Sequence, residues 1–272
     1  MQVRVGCEFV QRVEYPTHAV LQVEPRLDGD FRLVDERWDN DPPVPSLRYV
    51  DGFGNLCRRM TLPTGESRLR YTALAEVADG LDPVGAGAPE LPAHALPSST
   101  LVYTLPSRLC PSDELGDEAW ARFGGVTPGW SRVQAVCDWV HGEIAFGYGT
   151  SIGTTTAADV LRDRKGVCRD FAHLAVTLCR ALNIPARYAF GYLPDIGVPP
   201  PDAPMDFCAW MEVYLGDRWW TFDPRNNRPR TGRVLIGRGR DAIDVAMVTT
   251  YGPSLLVSMT VQADQADEVE GS

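Results

Sequence analysis

Hydrophobic and polar positions change rhythm about a third of the way along this 272-residue chain. Up to residue 80 the apolar residues fall in short β-prone stretches: Gln2–Cys7, Ala19–Val23, Phe31–Val34, Leu47–Val50, Leu56–Thr61 and Leu69–Val77. Asp51-Gly52-Phe53-Gly54-Asn55 is a strong turn signal between the fourth and fifth. Short strands at close spacing predict a β-sandwich or small barrel. Gly80–Ser99, rich in Gly, Pro and Ala, reads as a connector. From Asp117 the period lengthens. Val133, Val136, Cys137 and Val140 predict a helix over about Ser131–Glu143. Thr156 is placed to cap a short helix ending near Leu161, which Arg164-Lys165-Gly166 breaks. Cys168–Leu182 carries Phe171, Leu174, Ala175, Leu178 and Leu182 on one face, and Asn183-Ile184-Pro185 stops it. Strands are then expected at Ala186–Tyr192, in a hairpin of Phe207–Leu215 and Arg218–Phe222 around Gly216-Asp217, and at Ala242–Thr250 and Ser254–Val261. Leu193–Met205 is a Pro-rich loop. The pattern gives an α+β chain: an N-terminal β domain over 1–80, a connector over 81–116, a core over 117–262 and a flexible acidic tail over 263–272.

Composition narrows this further. A chain 44% hydrophobic and 23% charged is globular. No stretch approaches the ~20 apolar residues of a membrane helix. Arg4 and Glu8 interrupt the apolar run a signal peptide needs, so a cytoplasmic protein with no membrane partner is expected. The net charge of -10 lacks the basic footprint of a nucleic-acid binder. Of the 26 basic residues only Lys165 is Lys. Arg225, Arg228, Arg230, Arg233, Arg238 and Arg240 cluster within 224–240. That run suits either a carboxylate or phosphate ligand or a solvated loop offsetting acidic neighbours. The seven cysteines are scattered and form no CxxC pair, so neither a zinc site nor a disulfide framework is signalled. Most are expected as small buried apolar residues.

Chemistry concentrates at Gly166-Val167-Cys168-Arg169-Asp170-Phe171. This places a cysteine in the first turn of a helix, where free N–H groups and the helix dipole favour an anion and hence a thiolate. Local context alone admits a catalytic or a structural Cys168. The two-residue hairpin turn sets Trp210 opposite Asp223 and Cys208 opposite Arg225. Cys208 and Asp223 are then diagonal neighbours on one sheet face, ~7–8 Å apart between Cα atoms. If the start of the Cys168 helix packs there, three groups converge.

The segments Gly166–Leu174, Ala181–Arg187 and Gly191-Tyr192, then Ala209–Tyr214 and Trp220–Pro224, resemble the ordered motifs of the bacterial transglutaminase-like superfamily. The resemblance covers roughly residues 117–250, and the first ~80 residues resemble the β-rich domain that often precedes this core. It implies a papain-like core of helices packed on an antiparallel sheet. It makes Cys168 the nucleophile and Asp223 the orienting carboxylate of a Cys-His-Asp triad. The chemistry is acyl transfer through an acyl-enzyme, with no metal or organic cofactor, on a peptide, protein or small amide substrate. Trp210, mainly a core residue by its strand position, is a candidate lining for the substrate cleft. One departure stands out: Cys208 occupies the position of the family's histidine. A thiol replaces imidazole poorly as a proton carrier, and loss of that group typically costs orders of magnitude in rate. His18, His94 and His141 are expected to be structural. His173 lies five residues beyond Cys168, about 140° around the helix, and is a weak substitute. Two facing thiols at 168 and 208 would instead make a redox-sensitive pair or a soft-metal site. The readings that follow are a peptidase or amidase with an altered triad, its transamidating variant, and a noncatalytic scaffold that keeps the fold.

Overall fold

The computed structural model describes residues 1–199 and 203–266. Six strands come first: β1 (Gln2–Val13), β2 (Thr17–Leu21), β3 (Phe31–Asp41), β4 (Ser46–Val50), β5 (Leu56–Leu62) and β6 (Gly65–Val77). Burial along β6 alternates strictly, with Ser67, Leu69, Tyr71, Ala73, Ala75 and Val77 inward. This is the period-two pattern of a sheet with one face on a core. The helical part contains α1 (Gly116–Phe123), α2 (Trp130–Glu143), the two-residue β7 (Ala145–Phe146), α3 (Ala157–Asp163), β8 (Lys165–Gly166) and α4 (Cys168–Ala181). The remaining strands are β9 (Ala186–Tyr192), β10 (Cys208–Leu215), β11 (Arg218–Phe222), β12 (Val234–Gly239), β13 (Val248–Thr250) and β14 (Leu255–Gln265).

Three four-stranded antiparallel sheets result, ordered β14-β1-β6-β3, β13-β2-β5-β4 and β11-β10-β9-β12. The architecture is α+β, as the sequence pattern predicts. Three details differ from the expectation. First, β13 pairs with β2 and β14 pairs with β1, from Val3 opposite Gln265 to Arg12 opposite Leu255. The chain therefore returns to its first sheets instead of ending in the core. Residues 263–265 of the expected tail lie in this strand, whereas 267–272 fall outside the described residues. A long β1 paired on one side only would leave an open edge, and β14 closes it. Second, of Ala242–Thr250 only Val248–Thr250 is strand. Before it the chain turns on the Asp241 carboxylate, which accepts the Leu109 and Ile243 N–H groups, each at 2.9 Å. Third, β12 arises from a stretch that reads as an Arg-rich loop, and Val234 pairs with Tyr192 of β9.

The β11-β10-β9-β12 sheet has a core on each side. Phe171, Leu174, Ala175 and Leu178 of α4 meet Met211, Val213, Leu215 and Phe222 beneath α1, α2 and α3. Tyr188, Phe190, Tyr192, Phe207 and Ala209 join Val5, Phe9, Leu69 and Tyr71 of the N-terminal strands. The helix α4 is buried from Asp170 through Arg180, beyond its expected apolar face. Its polar residues survive there because their side chains find partners, His173 Nδ1 being left without one. Thr177 donates to the His173 carbonyl at 2.7 Å. Arg180 donates to the carbonyls of Ala186 (2.9 Å), Leu105 (3.2 Å) and Arg240 (2.6 Å). The Thr156 cap forms as expected, its hydroxyl accepting the Asp159 N–H while the Asp159 carboxylate accepts the Thr156 N–H.

Candidate active site

The start of α4 is fixed by two neighbours of Cys168. The buried Asp170 carboxylate accepts the Val167 N–H at 2.8 Å, the Arg169 guanidinium at 3.0–3.1 Å and a short bond from the Ser151 hydroxyl. Gly166 lets that carboxylate fold back, since a Cβ at 166 would lie 2.6 Å from Asp170 Cβ. Cys168 is thereby held in the first turn, where backbone N–H groups have no intrahelical acceptor. It is the half-buried member of seven free cysteines, the others being buried.

Cys208, the first residue of β10, lies beside Cys168: both line the same two cavities, and the Cys168 sulfur is 3.7 Å from the carbonyl of the preceding residue, Phe207. The neighbouring Cys208 thiol, joined by the Ala209 N–H and the Arg225 charge, holds the Cys168 pKa below the ordinary thiol value against the opposing effects of burial and Asp206. Cys208 moves the other way: the neighbouring Cys168, then burial, then the Asp223 charge, push its pKa well up. Of the two thiols, Cys168 is therefore the one that ionises first. Burial raises the remaining thiols, Cys7 to about 12 and Cys57 and Cys110 to about 11.

Asp223 follows β11 directly and is 6% exposed. The hairpin register is the one its two-residue turn dictates, with Met211 opposite Phe222 and Glu212 opposite Thr221. The Asp223 carboxylate accepts the Asn226 N–H at 2.9 Å, Asn226 Nδ2 at 2.8 Å and Arg233 Nη2 at 2.8 Å. Burial disfavours its charge, but Arg233 and Asn226 outweigh this and hold its pKa below the ordinary carboxylate range. Arg233 in turn donates to Asp82 at 2.9 Å and lies 4.8 Å over the Trp210 ring. Arg233 was not singled out from the sequence as a site residue; the only signal was its place in the Arg run. Two members of that run are buried and ion-paired: Arg233, and Arg230 with Asp195. A solvated loop is thus the wrong description of that part of the run.

Cys168 and Cys208 open onto two cavities. One, of about 600 Å³, is mainly apolar and includes Phe9, Tyr188, Phe190, Phe207, Met247 and Met259. The other, of about 110 Å³, brings Phe146, Tyr148, Asp206, Arg225 and Arg230 to the two sulfurs. Asp206 lines both. Burial raises its carboxyl pKa, only partly offset by the Phe207 N–H it accepts at 2.7 Å. Trp210 corrects an expectation. It is 2% exposed, packs with Ala189, Leu193, Cys208 and Leu235, and lines neither cavity. It backs Cys208 and Arg233 from inside, away from both cavities.

Among the described residues no histidine lines either cavity. His173 is fully buried, its Nε2 accepting the Ala242 N–H at 3.1 Å, and burial lowers its pKa to about 4. His141 Nδ1 bonds the Arg225 carbonyl at 2.9 Å, nearer the site than its sequence position suggested. Also among the described residues, no three His, Cys, Asp or Glu side chains are arranged to hold a metal ion, and no helix is long and apolar enough to cross a membrane.

A known protein shares this fold. Residues 119–224 match the model of the transglutaminase-like superfamily. A solved Cytophaga hutchinsonii structure named "putative cysteine protease" superposes with a TM-score of 0.90 at 30% identity, covering 98% of this chain and 91% of that one. An uncharacterized protein of Mycobacterium leprae is 27% identical over 235 residues, 83% of this chain and 82% of its own length. One of Mycobacterium tuberculosis is 27% identical over 244 residues, 81% and 77% respectively. A family core spanning the Cys168 helix and the Asp223 hairpin, within a relative matched almost end to end, has one consequence: the chain belongs to the transglutaminase-like superfamily.

Proposed function

We propose that the protein is a cysteine-type acyl-transfer enzyme, a peptidase or amidase, with Cys168 as nucleophile. The observation that carries this reading is the half-buried Cys168, its pKa lowered beside Cys208, at a helix N-terminus open to a 600 Å³ cavity. The thiolate attacks an amide carbonyl, and the first-turn N–H groups of α4 face the oxygen that gains charge. Collapse breaks the C–N bond, leaves a thioester on Cys168 and sends a proton to the departing amine. Cys208 is a poor proton donor because its pKa is raised. Asp206, whose carboxyl is raised and which lines both cavities with the two sulfurs, is the better-placed donor. Water then hydrolyses the thioester; an amine in its place gives transamidation. The seven free thiols support a reducing compartment such as the cytoplasm.

One observation favours the noncatalytic alternative. Asp223, the carboxylate that would orient a histidine, is instead neutralised by Arg233. The test is a screen of peptide and small amide substrates followed by intact mass analysis and peptide mapping. The enzyme reading expects an acyl adduct on Cys168 and faster amide cleavage in Cys208→His. No adduct with any amide, together with no gain in a folded Cys208→His variant, supports the scaffold reading.

A further inference from the structure

The acyl-transfer reading gives Cys208 no part in moving protons, yet the structure places it with Cys168 in one cavity wall. We propose that Cys168 and Cys208 form a dithiol site that reduces hydroperoxides by two electrons and closes to an intramolecular disulfide. Three features carry this inference. Cys168, in the first turn of α4, and Cys208, at the start of β10, are neighbours across the α4–β10 junction, the Cys168 sulfur lying 3.7 Å from the carbonyl of the residue before Cys208. Both line the same two cavities, one of about 600 Å³, and Cys168 is half-buried, so a small oxidant can reach it. The remaining five thiols are buried, and burial holds those of Cys7, Cys57 and Cys110 at about 11–12. Thiolate character, and with it the first oxidation step, belongs to Cys168.

The chemistry balances with two named co-reactants. The Cys168 thiolate attacks the distal oxygen of a hydroperoxide, the O–O bond breaks, and an alcohol or water leaves after taking one proton. Cys168 is then a sulfenic acid. The Cys208 sulfur displaces hydroxide from it, its thiol proton completes a water molecule, and the S–S bond forms. A small dithiol reduces the disulfide by exchange and restores both thiols. The oxidised protein has no thiolate at Cys168, so acyl transfer stops while the disulfide persists.

The test treats the reduced full-length protein with one equivalent of hydrogen peroxide, alkylates the remaining thiols and maps peptides without reduction. The expected result is loss of two alkylatable thiols, a cross-linked peptide joining Cys168 to Cys208, and full recovery with dithiothreitol. Cys168 should be consumed about tenfold or more faster than the other thiols, the ratio one pKa unit of thiolate stabilisation gives. In Cys208→Ser, oxidation should stop at a sulfenic acid on Cys168 that dimedone traps, and Cys168→Ser should lose the fast reaction. The wild-type mapping needs no variant to fold. Oxidised protein with Cys168 and Cys208 both unlinked, or with other cysteines consumed as fast, would overturn the proposal. Amide turnover assayed under dithiothreitol is independent of this outcome, so the failure of either reading is distinguishable from failure of the other.

Discussion

Cys168, Asp223 and His173 each show how burial and one neighbour decide a side chain's charge. Arg233 is the neighbour for Asp223, and the pair is almost sealed from solvent, with side chains 9% and 2% exposed. Removing one partner of a buried ion pair strands the other charge. Arg233→Met should therefore destabilise the protein by about 3–5 kcal/mol, read from urea unfolding. The wild-type carboxyl has a lowered folded pKa, so the stability it contributes is present above ~3.9, the ordinary Asp value, and is lost as pH falls through the folded pKa. In the variant the penalty should shrink on acidification as Asp223 protonates. His173 works in the same direction with different chemistry. Buried neutral, with a pKa of about 4 against ~6.5 in the unfolded chain, it takes a proton only on unfolding in that interval. Stability should fall as pH drops from about 6.5 toward 4, and His173→Gln should flatten that slope in urea midpoints measured across the range. The candidates Cys168, Cys208 and Asp223 were legible in the sequence because a helix start and a tight hairpin mark their places locally and the motif resemblance gives them roles. Arg233 was not, because its role depends on Asp82 and Trp210, remote in sequence.

The junction of β8 and α4 is the element on which the site rests. A Cβ at 166 would approach Asp170 Oδ2 to 2.9 Å and its Cβ to 2.6 Å, contacts that force either the carboxylate or the helix start to move. Gly166→Ala should cost about 1–3 kcal/mol, the usual cost of overpacking, and should slow alkylation of Cys168 while leaving other thiols unchanged. Urea unfolding with residue-specific labelling measures both. At this scale the sequence was informative where periodicity is local. The helix α4 and strand β9 fall within a residue of expectation, and the β10–β11 register follows from Gly216-Asp217. It was uninformative for β12, where Gly237 and Gly239 weaken the strand pattern and only pairing with β9 supplies the reason to be extended. It was equally silent on β14 beyond residue 261, whose partner β1 lies at the other end of the chain.

Across the whole molecule, the N-terminal strands help build the site. Phe9 of β1 is 2% exposed, stacks on Phe207 at 6.3 Å between ring centroids, and lines the large cavity. The Phe207 carbonyl lies 3.7 Å from the Cys168 sulfur. Phe9→Ala should cost about 3–5 kcal/mol in urea unfolding and also change the alkylation rate of Cys168, a coupling that a merely appended domain would not show. The central claim is that, of the two neighbouring thiols, Cys168 ionises first. Its most direct measurement is the pH dependence of iodoacetamide labelling, resolved by cysteine, on the reduced protein. Cys168 should label first, with an apparent pKa below the ordinary thiol value of ~8.5, and Cys208→Ala should shift that midpoint upward. Labelling of Cys168 with an unshifted midpoint, or at the pace of the buried cysteines, would contradict it.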